Sequence, residues 1–383
     1  MSESDRLHYM DNLRALAMLS GLVFHAALAY SPLAHAFFPT ADRGQSVLVD
    51  VGIWFLHLFR MPLFFVVAGF FAALLVAKRG LGGLFRHRIK RIALPFVIFL
   101  PLVHAGLKYA TLHAAATVEH PSPLLVVIRQ LLQTQGLPEQ LPGTGHLWFL
   151  YYLLFFYVLV WSAKNFGLEK LGARLRGLGP AWLLGLSPLL LVPALASISA
   201  PHPAPESFLP QFWAFGFYGL FFAFGYLLHG HDAMIERLRP LAPWLLAASL
   251  MLYGAFWYLL EQQTPSATDP SASLPIALLE AYISVWMTCV CLVAGRSLLN
   301  RGNAALRYLS DASYWTYLVH LPVLFAIQYR LLDVELPWGI KFVISVLATF
   351  GLCLLSYHAV VRRTRLGGLL GVRASMTPVQ VGK

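Results

Sequence analysis

The chain has 383 residues, of which 58% are hydrophobic and only 12% charged, with a mean hydropathy of +0.66 and a formal net charge of +11. A soluble globular domain carries about a quarter charged residues, so that class is excluded. The composition predicts an all-α, polytopic membrane protein, and the basic excess must be judged by where it falls rather than by its sum.

Apolar runs of the length needed to cross a bilayer, about 20 residues, are expected at 11–30, 51–77, 92–112, 146–163, 180–198, 210–229, 241–260, 275–295, 310–330 and 338–361. Ahead of the first, "MSESDRLHYMD" is too polar for a signal peptide and no small-residue cleavage site follows, so the first helix is expected to remain as a span. That run contains "RALAMLSGLVFH". Arg14 and His25 lie about three turns apart on one helical face, roughly 16 Å along the axis. Asp11, three positions before Arg14, is placed to pair with it. Arg14 also reads as an anchor snorkelling to headgroups, and His25 as a hydrogen-bonded core histidine.

The second run carries His57 and Arg60 just before "MPLFFVVAGFF". A basic stretch at 77–91 follows, with Arg86, Arg88, Lys90 and Arg91. Arg88 and Arg91 form an R-x-x-R pair one turn apart, a spacing that suits bidentate grip of phosphate. Orientation by positive charge explains the same cluster equally well. Between 113 and 145, Leu124, Leu125, Ile128, Leu131 and Leu132 recur at helical spacing, which predicts an amphipathic helix at the outer surface. "GHLWFL" (145–150) opens the fourth run with His146 and Trp148. "PHPAPES" (201–207) and "QQTPSATDPSAS" (262–273) read as short flexible connections. Glu280 lies near one end of the eighth run. In "SDASYWTYLVH" (310–320), Tyr314, Tyr317 and His320 follow at steps of three along one side of the ninth.

The basic connections, 77–91, 164–176, Arg237 with Arg239, Arg296–Arg307 and 362–365, all fall on one side of this arrangement. The other side holds Asp42, Asp50, Glu119, Glu139, Glu206, Glu261, Asp269, Asp333 and Glu335 against Arg43 and Arg129. This is the positive-inside pattern; it puts both termini in the cytoplasm and assigns the charge to topology rather than to nucleic acid. Cys289, Cys291 and Cys353 sit inside apolar runs and read as buried free thiols, since C-x-C is not a structural zinc spacing. One membrane domain is expected over 1–366, with a short cytoplasmic tail over 367–383 and no metal site.

Ionisable groups inside spans are costly and usually functional. Counted at about 1.5 Å per residue, His25, Arg60, His146 and His320 fall at similar heights and are expected to share the outer half of a central cavity. An intramembrane set of this kind suits a transporter of a small anion or sugar as well as an enzyme, and a scaffold for glycan synthesis is a third reading.

Arg14 with His25, "MPLFF" with "GFF", R-x-x-R before the third span, "HLWFL" and the "SYWTYLVH" helix together resemble the membrane-bound acyltransferase-3 family. "MDNLRALAMLSGLVFHAALAYS" and "FRMPLFFVVAGFF" look most like the branch containing the periplasmic glucan succinyltransferase. The resemblance covers nearly the whole chain. Ala68, before Gly69, departs from the serine frequent there in the family.

The resemblance implies a ten-helix, multi-pass enzyme of the cell (inner) membrane, of the type without an appended hydrolase-like domain. It implies transfer of an acyl group, acetyl or succinyl, from cytosolic acyl-CoA to a carbohydrate hydroxyl outside. Acyl-CoA is then a substrate and no cofactor is permanently bound. The partners are acyl-CoA, the carbohydrate, the bilayer and glycan-synthesis proteins. On this reading Arg86, Arg88 and Arg91 hold the donor phosphates and Arg14 meets the pantetheine arm. His25 is the general base, an imidazole titrating close to working pH. Arg60 or His320 stabilises the oxyanion, an acyl-histidine intermediate being the variant route. His57, His146, Trp148 and Tyr317 line the acceptor side, and Arg60 or Arg129 is placed to receive a succinyl carboxylate.

Overall fold

A computed structural model describes residues 5–134, 136, 143–177, 179–262, 272–300, 304–364 and 367. The described chain is all-helical, apart from one isolated bridge between Gly143 and Ser207. Its helices are α1 (Asp5–Leu28), α2 (Val47–Arg88), α3 (Leu94–Thr117), α4 (Pro123–Thr134), α5 (Trp148–Asn165), α6 (Glu169–Arg176), α7 (Val192–Leu195), α8 (Phe212–Leu228), α9 (Asp232–Leu238), α10 (Ala242–Gln262), α11 (Leu274–Leu298), α12 (Ala304–Leu331) and α13 (Trp338–Ser356). Each expected apolar run coincides with a helical stretch.

Val47–Thr117, Gly145–Asn165, Asp232–Gln262, Leu274–Leu298 and Trp338–Val361 are long and apolar enough to cross a membrane, and Trp182–Leu195 and Phe212–Leu228 are shorter apolar helices. The chain is an integral membrane protein. Both α1 and α12 are also long, but they carry the polar side chains of the site. Glu139, Asp269, Arg301 and Arg365 lie outside the described residues, as does the tail expected over 367–383, except position 367.

The expected helix at 180–198 is broken into a π turn (Trp182–Leu186), a 3-10 turn (Ser187–Leu190) and α7. Pro188 and Pro193 withhold the amides a continuous helix needs. Trp286 of α11 replaces one of them, its indole N–H donating to the Leu184 carbonyl at 2.9 Å, four residues before Pro188. The same repair occurs in α2, where Pro62 leaves the Leu58 carbonyl without its helical donor and the Ser284 hydroxyl donates to it at 2.8 Å.

Two glycines set the central crossing. A Cβ on Gly69 would stand 2.0 Å from the Phe222 carbonyl oxygen, and one on Gly225 would stand 1.9 Å from that of Val66, so α2 and α8 touch backbone to backbone. Further along, α2 breaks at Gly80, whose φ of 67° and ψ of −178° are non-helical.

The loop between α1 and α2 and the first turn of α2 are folded inward. Asp42 pairs with Lys341 of α13 at 2.7 Å, both buried. Asp50 accepts from Ser31, from the Leu33 amide (3.1 Å) and from the Trp54 indole (3.3 Å). In α4, Leu125 is fully buried while Leu124, Ile128 and Leu131 are half-buried, as an amphipathic helix requires, though Leu132 is exposed.

Candidate active site

At one end of the bundle a cavity of about 400 Å³ is lined by Arg14, Lys78, Arg79, Arg88 and Arg91, with Asp311 and Ser310 beside them and apolar walls that include Phe64, Phe71, Phe149, Leu150 and Tyr157. The break at Gly80 lets the basic residues on either side of it, Lys78 with Arg79 and Arg88 with Arg91, line one space. Arg14 is held by Asp11 at 3.1 Å and the Ser310 hydroxyl at 3.3 Å, with its guanidinium 5.5 Å from the centre of the Phe71 ring. Arg88 stacks over Tyr157 at 4.9 Å. Tyr314 donates to the Arg91 carbonyl at 2.9 Å, which ties the π turn Ile89–Ala93 to α12. Arg86 does not line the cavity and is exposed. Two positions along a helix are about 200° apart, so Arg86 and Arg88 must point to opposite faces.

Phe64 of α2 and Tyr314 of α12 are among the residues lining the cavity. Arg60 lies one helical turn beyond Phe64, and His320 nearly two turns beyond Tyr314. There the structure brings together the expected set. The rings of His25 and His320 are 5.4 Å apart, those of His320 and His146 5.2 Å, and those of His146 and Tyr317 5.7 Å. The turn Gly145–Leu147 presents His146, and the Tyr317 hydroxyl holds that turn by donating to the His146 carbonyl at 2.8 Å. Arg60, only 6% exposed, lies over the Phe24 ring at 4.5 Å and forms no ion pair with any described residue. Gly21 of α1 leaves room for it, since a Cβ there would stand 3.0 Å from a terminal guanidinium nitrogen. Arg14, about three turns from His25 along α1, belongs to the basic cavity and not to this cluster.

Backbone carbonyls fix most of the imidazoles, and a carbonyl can only accept, so each nitrogen bonded to one carries the proton. His320 Nδ1 donates to the carbonyls of Thr316 (3.1 Å) and Tyr317 (2.9 Å). His146 Nε2 donates to the Tyr317 carbonyl at 3.2 Å and His57 Nε2 to that of His202 at 2.7 Å. Their other nitrogens, and Nε of Arg60, are buried without a hydrogen-bond partner among the described residues. His25 has none either.

Behind the cluster lies a layer the sequence reading missed. His57 stacks between Phe24 (5.2 Å) and His202 (4.5 Å). His202 Nδ1 is 2.5 Å from Glu280 Oε1, and the His202 amide donates to the same oxygen at 3.0 Å. Both side chains are at most 1% exposed. The segment 201–207 is therefore no flexible connection around His202. It is tied into the bundle, with the Thr144 amide and hydroxyl donating to the Glu206 carbonyl at 2.6 and 2.9 Å. Glu280, an acid within an apolar helix, was the signal that a buried partner had to exist.

Trp148 is not brought to the cluster; it packs in the aromatic core against Phe65 and Tyr218. Arg129 caps α3, donating to the carbonyls of Ala115 and Val118 at 2.6 and 2.7 Å. Among the described residues no group of three or more His, Cys, Asp or Glu side chains is placed to hold a metal ion.

A basic cavity and, further along the helices, clustered imidazoles with a guanidinium unpaired among the described residues, inside an apolar bundle, are the outline of a membrane-embedded group-transfer enzyme. The acyltransferase-3 family, described as an acyltransferase domain, matches residues 7–358, and the chain belongs to it. It is accordingly an O-acyltransferase. It is similar to proteins named glucans biosynthesis protein C: at 25% identity to that of Escherichia coli O139:H28, at 26% to that of E. coli SMS-3-5 and at 25% to that of E. coli K12. Each alignment covers 93% of this chain and 91% of the relative. No solved structure matches the chain.

Proposed function

We propose that the protein carries an acyl group, acetyl or succinyl, from acyl-CoA at its basic end to a carbohydrate hydroxyl at the other, and that the acceptor is a glucan, as the relatives' name suggests. The basic end faces the cytoplasm, the chain crosses the inner membrane ten times, and both termini are cytoplasmic. The observation that supports this reading is that helices carrying the basic cavity, α1, α2 and α12, also carry the cluster of His25, Arg60 and His320. The polyanionic nucleotide of acyl-CoA matches the cations at the cavity mouth, Lys78 and Arg79 joining Arg88 and Arg91 there. The pantetheine arm then runs past Arg14 between apolar walls, and its thioester reaches Arg60 and His25.

In the transfer, His25 takes the proton of the acceptor hydroxyl as its oxygen attacks the thioester carbonyl. The oxyanion faces Arg60, a buried cation that no carboxylate among the described residues neutralises. The carbon–sulfur bond breaks, the ester leaves on the acceptor side, and the thiolate takes the proton from His25 to depart as free CoA.

Sealed inside-out vesicles test this. With labelled acetyl-CoA or succinyl-CoA outside and glucan within, label should appear on lumenal glucan with the intact protein and not with His25→Ala. Export of unmodified substrate without acyl-CoA, and no labelled ester, would overturn the reading in favour of transport.

A further inference from the structure

The His320 tautomer conflicts with one expected role and supplies another. Because Nδ1 of His320 spends its proton on two backbone carbonyls, the neutral ring offers only a bare lone pair at Nε2. A bare lone pair repels an oxyanion, so Arg60 is left to meet the developing charge. The same lone pair is buried without a partner. The ring faces His25 on α1 at 5.4 Å and His146 at 5.2 Å, with Arg60 on α2 and Tyr317 one turn back on α12. His146 cannot donate to it in its neutral form, since its own proton, on Nε2, is bonded to the Tyr317 carbonyl. Of the three rings His25, His146 and His320, only His25 has no backbone bond among the described residues that fixes its tautomer.

We infer that His320 is the positioning residue for the base. Its backbone-locked Nε2 accepts the N–H of His25, which leaves the other nitrogen of His25 bare towards the acceptor hydroxyl. It also stabilises the imidazolium that forms when His25 takes the proton. The arrangement has the logic of a base held by a third group, with a carbonyl-anchored imidazole standing where a carboxylate would otherwise be. No atom is transferred to His320; the proton taken by His25 goes to the departing thiolate. This inference rests on the proposed role of His25.

His320→Asn keeps an N–H donor for the Thr316 and Tyr317 carbonyls and removes the Nε2 lone pair. Its kcat is expected to fall at least about a hundredfold, with KM for acyl-CoA changed by less than about threefold, since general-base effects are of that order. The double variant His25→Ala with His320→Asn should be no slower than His25→Ala alone, because one residue acts through the other. Nitrogen-15 NMR of the full chain in nanodiscs should show His320 protonated at Nδ1, with an Nε2 signal that moves in His25→Ala. An Asn variant within threefold of wild type would overturn the inference, and so would a double variant well below the single one. If the wild-type protein transfers no acyl group at all, the proposed function fails, and the NMR result still decides the His25–His320 contact. An Nε2-protonated His320, or a signal indifferent to His25, would refute that contact.

Discussion

Arg60 is the residue whose surroundings are least ordinary. A guanidinium this deeply buried normally has a carboxylate partner, because desolvating it alone costs several kcal/mol. Here it has an aromatic face and lone pairs, an environment that tolerates the cation yet leaves it free to bind an anion. Arg60→Gln should therefore lower kcat by about a hundredfold or more while leaving acyl-CoA binding intact, as loss of an oxyanion donor does; steady-state kinetics with binding by calorimetry would show the split. Glu280 sets the opposite case. Its contacts are to His202 and close a buried pair behind the site. Glu280→Ala should cost about 3 kcal/mol of stability, since removing one member of a buried pair strands the other, read as a loss of thermal stability in detergent.

At the scale of elements, the helices are shaped by residues that disobey helical rules. Prolines at 62 and 188 each delete an amide, and α11 supplies the replacement donors, so α2, α11 and the broken 182–195 stretch are matched to one another. The α2–α8 crossing depends on absent side chains. Gly225→Ala should destabilise the protein by about 1–3 kcal/mol, because its Cβ would fall on a backbone oxygen that no rotamer change can move. Gly80 acts differently, since nothing lies within 4 Å of a Cβ there and only its φ of +67° demands glycine. Gly80→Ala should cost about 1–3 kcal/mol in strain and raise KM for acyl-CoA by separating Lys78 and Arg79 from Arg88 and Arg91. Arg88→Ala should raise that KM too, whereas Arg86→Ala, on the exposed face, should leave it within about twofold; initial rates across acyl-CoA concentrations distinguish them.

Across the whole molecule, the site is an axis rather than a point. Cations gather at one end of α1 and α2, and the imidazoles of His25 on α1 and His320 on α12 meet further along the bundle, His25 about three turns from Arg14. The spacing of Arg14 and His25 was legible because helix geometry converts sequence distance into height without reference to neighbours. So was the convergence of Arg60, His146 and His320, since a bilayer leaves buried polar groups few places to go. Arg86 was placed with the donor set because charge alone does not tell one helix face from the other. Trp148 was read as lining the acceptor side, but a large aromatic beside a functional histidine serves packing equally well. His202 was hidden because a Pro-rich segment reads as a loop whether it lies outside the bundle or is tied into it.

The sequence by itself determined the class, the helical runs and the spacing of the ionisable residues along each helix, which follow from composition and periodicity along one chain, and the family through the resemblance of its motifs to known ones. Only the tertiary structure decided which cations share the cavity, which nitrogen of each histidine is bare, and that His202 closes on Glu280. Those outcomes depend on contacts between residues far apart in sequence, and on carbonyls whose freedom to accept is set by how neighbouring helices fold.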